Sequence, residues 1–228
     1  MDPLTEAVRQ RLAGVRARIL STGRDLTSVT IVAVTKGFGV DAVRAARRVG
    51  FDDIGENYAQ ELLGKAREVG AEEQATGEVR PLRWHFLGAV QRNKVRQLAG
   101  IVALWQSVDR LAVGEEIARR AAGAPVLVEV NVTGEPQRAG CAWNDAPGLV
   151  AGLRALDLDV RGVMGVGSIE DPRPGFRRLA ALAADLGLPQ VSMGMTDDLE
   201  IALEEGATIV RVGRALFGAR PPGTRVRR

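Results

Sequence analysis

Cysteine, histidine and long apolar runs are scarce in this sequence. The single cysteine, Cys141, excludes an internal disulfide, and the absence of a Cys/His cluster leaves no zinc-ligand spacing. No apolar run approaches the roughly 18 residues that a membrane-spanning helix needs. The first residues carry arginines where a secretory signal would have a continuous apolar stretch. We therefore expect a soluble, cytoplasmic protein with no bound metal and no membrane partner.

Basic charge is concentrated at the end of the chain. Four arginines lie in the terminal segment RPPGTRVRR, at Arg220, Arg225, Arg227 and Arg228. The net charge is +3, so without these four charges it becomes −1. A nucleic-acid-binding surface spreads its basic residues over a folded face with aromatics or a groove-entering helix, and neither pattern is present. We expect no nucleic-acid binding, one domain over residues 1–219, and a solvated basic tail over residues 220–228.

Apolar residues follow helical and strand periods along most of the chain. Residues 3–22 have an amphipathic helical pattern, with Asp2 as the cap and Pro3 at the first helical position. The segment VTIVAV, residues 29–34, is apolar on both faces, which is typical of a parallel strand covered on both sides. Further strands are predicted at 52–55, 84–87, 101–105, 126–131, 160–164, 188–192 and 208–212. Helices are predicted at 40–49, 57–70, 90–98, 110–122, 145–156, 174–186 and 197–205.

Eight strands that alternate strictly with helices predict an α/β fold, a single (β/α)8 TIM barrel preceded by the N-terminal helix. The alternative is an open doubly wound sheet. Such a sheet usually carries a GxGxxG phosphate loop after its first strand, whereas this chain has AVTKGFG there. The polar stretch 71–83, which contains Gly77 and Pro81, is expected to be an exposed loop.

Lys36 lies two residues after the end of the first predicted strand, next to Thr35. In a barrel, reactive groups lie at the C-terminal ends of the strands, where partial desolvation lowers the pKa of a lysine. A neutral amine condenses with an aldehyde, so Lys36 is a candidate for holding pyridoxal 5′-phosphate (PLP) as a Schiff base. The alternative is a lysine at a strand end that reaches into solvent.

The loops after predicted strands seven and eight carry hydroxyl groups and glycines. Barrels often bind a phosphate group at these loops, against free backbone N–H groups. The candidates for this role are Ser192, Gly194, Thr196, Gly213 and Arg214. The alternative makes the two glycines turn residues and makes Thr196 the cap of the following helix.

Arg211 alternates with Val210 and Val212 in the last predicted strand. If the valines pack outward against helices, the guanidinium points into the barrel mouth. A buried guanidinium needs a partner, and a pyridine nitrogen, a phosphate or a carboxylate would serve. An ion pair with Glu129 on a neighbouring strand is the alternative.

Three other residues are candidates for the barrel mouth. His85 is the single histidine, and its alternative role is that of a hydrogen-bonded packing residue. Asn57 is either a ligand contact or the cap of the next helix. Met164 is expected to fill an irregular gap near the mouth.

Seven segments of the chain, in this order, resemble the pyridoxal phosphate homeostasis protein family. They are AVTK, GENYAQE, WHFLGAVQRNK, VNVTGE with AGC, GVMGV, SMGMTDDLEIALEEGAT and VRVGRALFG. The resemblance implies a fold similar to the N-terminal barrel of alanine racemase, with Lys36 as the Schiff-base lysine. It also implies phosphate contacts from Ser192, Thr196, Gly213 and Arg214, and a contact from Arg211 to the pyridine nitrogen. Gly37 and Ala89 differ from the bulkier or more polar residues common in the family at these positions.

The function implied by the resemblance is intracellular PLP homeostasis without an established turnover reaction. The alternative is a PLP-dependent amino-acid racemase, which needs a base on each face of the substrate. In alanine racemase the second base is a tyrosine of an additional domain, but this chain has only Tyr58. An arginine at the pyridine nitrogen also weakens the ring as an electron sink. We therefore expect a non-catalytic carrier, a monomer rather than a dimer, with PLP-dependent apo-enzymes as candidate partners.

Overall fold

Eight parallel strands close into a barrel in the part of the chain that the structure describes. A computed structural model describes residues 2–77 and 81–220. The strands are β1 (Thr30–Val34), β2 (Asp53–Glu56), β3 (Arg83–Phe86), β4 (Val102–Val108), β5 (Pro125–Glu129), β6 (Asp159–Met164), β7 (Gln190–Ser192) and β8 (Ile209–Val212). The helices are α1 (Pro3–Ser21), α2 (Val40–Arg48), α3 (Ala59–Thr76), α4 (Arg92–Leu98), α5 (Leu111–Arg120), α6 (Ala146–Ala155), α7 (Arg173–Asp185), α8 (Leu199–Glu204) and α9 (Arg214–Phe217). Strands pair in chain order and β8 pairs with β1, so the predicted TIM barrel is confirmed.

Helix α1 precedes the barrel, as the sequence predicts. The Asp2 carboxylate accepts a hydrogen bond of 2.9 Å from the Thr5 backbone N–H, and Pro3 opens the helix. The buried aliphatic stripe consists of Val8, Leu12, Val15 and Ile19. Each such side chain contributes about 1.5–3 kcal/mol on burial, so packing of this stripe against α2, α8 and α9 holds α1 on the barrel.

Two apolar layers surround the strands. The larger layer lies between strands and helices and includes Ala33, whereas Val32 and Val34 belong to a smaller cluster with Met164. This alternation follows from the two-residue period of a strand, which sends neighbouring side chains to opposite faces. The part of the barrel interior around Val32, Val34 and Met164 is therefore apolar. The rest of the interior can accommodate polar side chains.

Helix α3 extends further than the sequence suggests. The stretch 71–83 was expected to be a loop, but α3 continues to Thr76, and Gly77 ends it in the left-handed conformation with φ of +69°. The reason is tertiary: Arg44 of α2 donates to Glu72 at 3.0 Å and Arg47 pairs with Glu73 at 2.9 Å. These charges hold a polar segment in helical form. Residues 78–80 of the expected loop lie outside the described residues.

Two further differences concern the end of the chain. Helix α8 begins at Leu199 rather than at 197, and the short helix α9 after β8 was not predicted. Arg220 is the only described residue of the expected basic tail, and 221–228 lie outside the described residues. No helix in the described ranges is long and apolar enough to cross a membrane.

Candidate cofactor site at the barrel mouth

A cavity of about 560 Å³ opens where the C-terminal ends of the strands meet. Its volume lies within the range of about 300–1,000 Å³ that is common for small-molecule sites. Apolar walls come from Val34, Phe38, Leu87, Val166 and Met195. Seven of the ten site residues proposed from the sequence line the cavity: Lys36, Asn57, Met164, Thr196, Arg211, Gly213 and Arg214.

Lys36 reaches the cavity from the end of β1. Its side chain is half-buried, and its amine forms no hydrogen bond or ion pair with any residue of the described ranges. Burial lowers the pKa of Lys36, and the positive charges of Arg220 and Arg211 lower it further, whereas the charge of Glu56 opposes them. These effects shift the equilibrium of Lys36 toward the neutral amine, which is the nucleophilic form.

A second, buried lysine holds the turn that carries Lys36. Lys65 of α3 donates to the carbonyl of Thr35 at 2.8 Å and to the Glu56 carboxylate at 2.5 Å. On the other side of Lys36, the N–H of Gly37 donates to Glu61 at 2.8 Å. Both neighbours of Lys36 are thus fixed to α3 or β2. These contacts are not predicted from the sequence, although Glu61 and Lys65 have the i,i+4 spacing of a helical ion pair.

Gly37 allows an arginine to approach this turn. Its φ is +75°, a conformation that side-chain-bearing residues adopt at a cost. A Cβ at this position would also lie only 3.0 Å from Cδ of Arg220. Arg220 lines the cavity, so the glycine leaves room for a cation beside Lys36.

Asn57 presents an unsatisfied polar atom to the site. Its Oδ1 is buried and has no hydrogen-bond partner among residues 2–77 and 81–220, while the residue lines the cavity. It does not cap α3, because Tyr58 occupies the N-cap position and makes no side-chain capping bond. A buried carbonyl oxygen without a partner costs roughly 1–3 kcal/mol, so this oxygen is suited to accept a hydrogen bond from a ligand.

Hydrogen-bond donors for an anion gather at the loops after β7 and β8. Thr196 lines the cavity, and its hydroxyl oxygen accepts from the Ala215 N–H at 3.2 Å, which leaves its proton free to donate. The N–H groups of Gly213 and Arg214 donate to no described residue. Thr196 does not cap α8, because Asp198 is the N-cap residue.

Arg211 lies inside the barrel with its guanidinium at the cavity. It donates from Nη1 to Ser192 Oγ at 2.7 Å and from Nη2 to the carbonyl of Gly165 at 2.9 Å. Burial lowers the pKa of Arg211 to about 10, against the opposing charges of Glu129 and Asp198. The group is a cation at neutral pH.

Glu129 lines the same cavity but does not pair with Arg211. Its carboxyl group forms no hydrogen bond or ion pair with a residue of 2–77 or 81–220, although the residue is only 6% exposed. Burial, reinforced by the charge of Asp109, raises the pKa of Glu129 to about 7, and Arg211 opposes this rise. The cavity thus contains a carboxyl group that titrates near neutrality.

Three residues proposed from the sequence, His85, Ser192 and Gly194, do not line the cavity. Ser192 is fully buried, and its Oγ donates to Gln106 at 2.6 Å. His85 bonds to Gln106 and Asp53 inside the barrel. Gly194 has φ of +89° and lies in the turn after β7, which agrees with its alternative role as a turn glycine. Within the described residues, no three His, Cys, Asp or Glu side chains form a group that could hold a metal ion.

Comparisons with known proteins agree with this architecture. The family described as "Alanine racemase, N-terminal domain" matches residues 5–221. The chain is 41% identical to the pyridoxal phosphate homeostasis protein of Pseudomonas aeruginosa, over 98% of each chain. The structure is similar to that of PipY from Synechococcus elongatus with PLP bound, with 30% identity and a TM-score of 0.80, covering 92% of this chain and 100% of PipY.

A more distant structure shares the fold alone. Alanine racemase of Clostridium difficile is 15% identical with a TM-score of 0.73, covering 96% of this chain but only 58% of the racemase. The barrel therefore corresponds to one part of the racemase. The chain belongs to the alanine racemase N-terminal domain family and, within it, to the pyridoxal phosphate homeostasis proteins.

Proposed function

We propose that this protein binds PLP in the cavity at the barrel mouth, holds it as a Schiff base on Lys36, and serves in PLP homeostasis. The observation that carries the proposal is the half-buried amine of Lys36, which has no partner in the described residues and a lowered pKa. Its relatives include proteins named for PLP homeostasis and one solved with PLP bound.

The residues of the cavity fit this cofactor. When bound, PLP supplies an aldehyde carbon that condenses with a primary amine and releases water. The Lys36 amine is the nucleophile for this condensation. The hydroxyl of Thr196 and the N–H groups of Gly213 and Arg214 provide donors for a phosphate, with Arg220 adding positive charge. The unpaired Oδ1 of Asn57 can accept a hydrogen bond from a donor on the ligand.

Arg211 supports the carrier function more than the racemase. An arginine that donated to the pyridine nitrogen would keep this nitrogen unprotonated, which would weaken the ring as an electron sink. Racemisation also needs a second base, and Tyr58, the single tyrosine of the chain, does not line the cavity with Lys36. These residues therefore bind and orient PLP but do not supply the second base that a racemase needs.

The proposal includes a cytoplasmic location and delivery of PLP to PLP-dependent apo-enzymes, with a monomer as the working state and residues 1–219 as one domain. The half-buried position of Lys36 supports delivery, because the residue is not enclosed by the barrel.

Borohydride reduction of the protein with added PLP is expected to fix one pyridoxyl group on Lys36. The sequence has only three lysines, which makes peptide mapping unambiguous. Lys65 is engaged by Glu56 and the Thr35 carbonyl, so it should not react. Lys36→Ala should lose the label and the visible absorption band, while the control Lys94→Ala keeps both. A label found mainly on Lys65 or Lys94 would refute the assignment.

Arg211→Ala is expected to weaken PLP binding by about 1–3 kcal/mol, or about 5- to 150-fold in Kd, because a charge-assisted hydrogen bond is lost. Equilibrium titration followed by absorbance measures this change. Arg161→Ala is the matched control, since Arg161 is exposed on β6 and, within the described residues, pairs only with Asp159. An unchanged Kd for Arg211→Ala, together with lower thermal stability, would mean that Arg211 has a structural role only.

A further inference from the structure

A continuous chain of hydrogen bonds crosses the interior of the barrel and ends at Arg211. Arg211 Nη1 lies 2.7 Å from Ser192 Oγ, which lies 2.6 Å from Gln106 Oε1. Gln106 Nε2 lies 2.7 Å from His85 Nδ1, and His85 Nε2 lies 2.9 Å from Asp53 Oδ1. The chain joins five strands, from β2 to β8.

The chemistry of its end group fixes the direction of the chain. A guanidinium has only donors, so Ser192 Oγ accepts from Arg211 and must send its own proton to the Gln106 carbonyl oxygen. The amide nitrogen of Gln106 then faces His85 and donates to Nδ1. Nδ1 of His85 is then an acceptor, so the ring proton lies on Nε2, which donates to Asp53.

Asp53 anchors the other end of the chain. Arg83 donates to both of its carboxylate oxygens, at 2.8 and 2.6 Å. Burial acts to raise the pKa of Asp53, but the hydrogen bonds from His85 and Arg83 lower it to about 2. Asp53 therefore remains a carboxylate and an acceptor at neutral pH.

Burial makes this arrangement costly to break. His85, Gln106 and Ser192 are all buried, and Gln106 and Ser192 have no exposed surface. If the Gln106 amide were reversed, the Ser192 proton would lose its acceptor, and His85 would need a proton on each ring nitrogen. The contacts of the described residues thus favour one direction of donation along all the hydrogen bonds from Arg211 to Asp53.

We propose that Asp53, His85, Gln106 and Ser192 position the Arg211 guanidinium, so that His85 and Gln106 act on the cofactor's pyridine nitrogen through Arg211. This inference rests on the proposed function for its link to PLP. It also gives Ser192 a different role from the phosphate contact expected from the family resemblance. The Ser192 proton is committed to Gln106, so Ser192 is a positioning residue rather than a phosphate donor.

The first test needs no cofactor and uses the single histidine of the chain. In protein labelled with ¹⁵N-histidine, wild type should show one protonated Nε2 and one unprotonated Nδ1. Ser192→Ala removes the acceptor of Arg211 and the donor to Gln106, which frees the amide to reverse. We expect the two ring signals of His85 to shift or to average, although Ser192 does not touch His85.

Ser107→Ala is the matched control. Ser107 is also buried and adjoins Gln106 in β4, but its hydroxyl donates to the Gly88 carbonyl, outside the chain. The ring signals should remain unchanged in this variant. Equal shifts in both variants, or no shift in Ser192→Ala, would overturn the proposed chain.

The second test measures the effect on bound PLP. His85→Asn keeps an acceptor near the position of Nδ1, whereas His85→Leu leaves Gln106 without one. The leucine variant should change the absorption band and its pH dependence and weaken PLP binding about fivefold or more, and the asparagine variant should recover part of the loss. Identical spectra in wild type and both variants would refute the positioning role.

The two tests separate the inference from the proposed function. If wild type takes up no PLP, the proposed function fails, while the ¹⁵N spectra still decide whether the chain exists. If PLP labels Lys36 in every variant but neither spectra nor ring signals respond, only the inference fails. If His85→Leu does not fold, the ¹⁵N ring signals of His85 in Ser192→Ala and Ser107→Ala still test whether the hydrogen-bond chain exists.

Discussion

Replacing Lys65 with methionine is expected to lower the free energy of unfolding by about 3–5 kcal/mol. Lys65 is 6% exposed, and its partner Glu56 is fully buried. Without the lysine, the Glu56 carboxylate loses its ion-pair partner, and the Thr35 carbonyl loses a hydrogen bond. Denaturant unfolding followed by circular dichroism measures the loss.

The pH dependence and a second substitution identify the cause. Burial already raises the pKa of Glu56, with Lys65 opposing this rise. Removing Lys65 raises the folded-state pKa of Glu56 further. As pH rises through that pKa, the variant should therefore lose more stability than wild type does. Lys65→Met combined with Glu56→Gln removes the buried charge and should recover part of the loss.

Lys94→Met is the control for Lys65→Met. Lys94 is half-buried on α4 and has no ion pair with a described residue, so the change should stay within about 0.5 kcal/mol. If Lys65→Met lowered the free energy of unfolding no more than this control, the buried pair would contribute nothing to stability. The contacts of Lys65 would then not be what holds the turn that carries Lys36.

The barrel could be predicted from the sequence because its signals are local. The segment 29–34 is apolar on both faces, and the two-residue period at Arg211 correctly predicts a side chain inside the barrel. The error in α3 arose because its last turn is polar and is held by Arg44 and Arg47 of another helix. No pattern within 71–76 encodes that contact.

The site could be predicted only in part. Lys36 and Thr196 follow strand ends, so the topology of a barrel brings them to one mouth. The partners of Ser192 and His85 could not be inferred, because they meet at Gln106, which is 86 residues from Ser192 in the chain. Such pairing depends on the register of strands across the barrel interior, and no local signal contains it.

Glu129→Gln is expected to stabilise the protein without cofactor by up to about 3 kcal/mol above neutral pH. Burial raises the pKa of Glu129 from 4.5 to about 7, so the folded state binds more protons than the unfolded state between these values. Stability therefore falls as pH rises through this window and levels off above it. Glutamine cannot ionise, so the variant should lack this decline.

Unfolding free energies of wild type and variant, measured from about pH 4 to about pH 8, test this prediction. The two curves should lie close together at the acidic end and diverge as pH rises. Glu115→Gln is the control: Glu115 is exposed on α5, and its replacement should change stability by no more than about 0.5 kcal/mol throughout.

An unpaired carboxyl group in the cavity is costly to folding, which favours a role for Glu129 in the site rather than in the scaffold. It lies in the same cavity as Lys36 and Arg211, and Arg211 favours its ionised form. If Glu129 instead formed a tight pair with Arg211 in solution, its folded-state pKa would lie below 4.5. Glu129→Gln would then destabilise the protein at pH values above the folded-state pKa. The difference between the unfolding free energies of wild type and variant would grow as pH rose from there to about 4.5. Parallel curves would mean that Glu129 titrates alike in both states, and the sign of the difference at about pH 8 distinguishes the unpaired from the paired carboxylate.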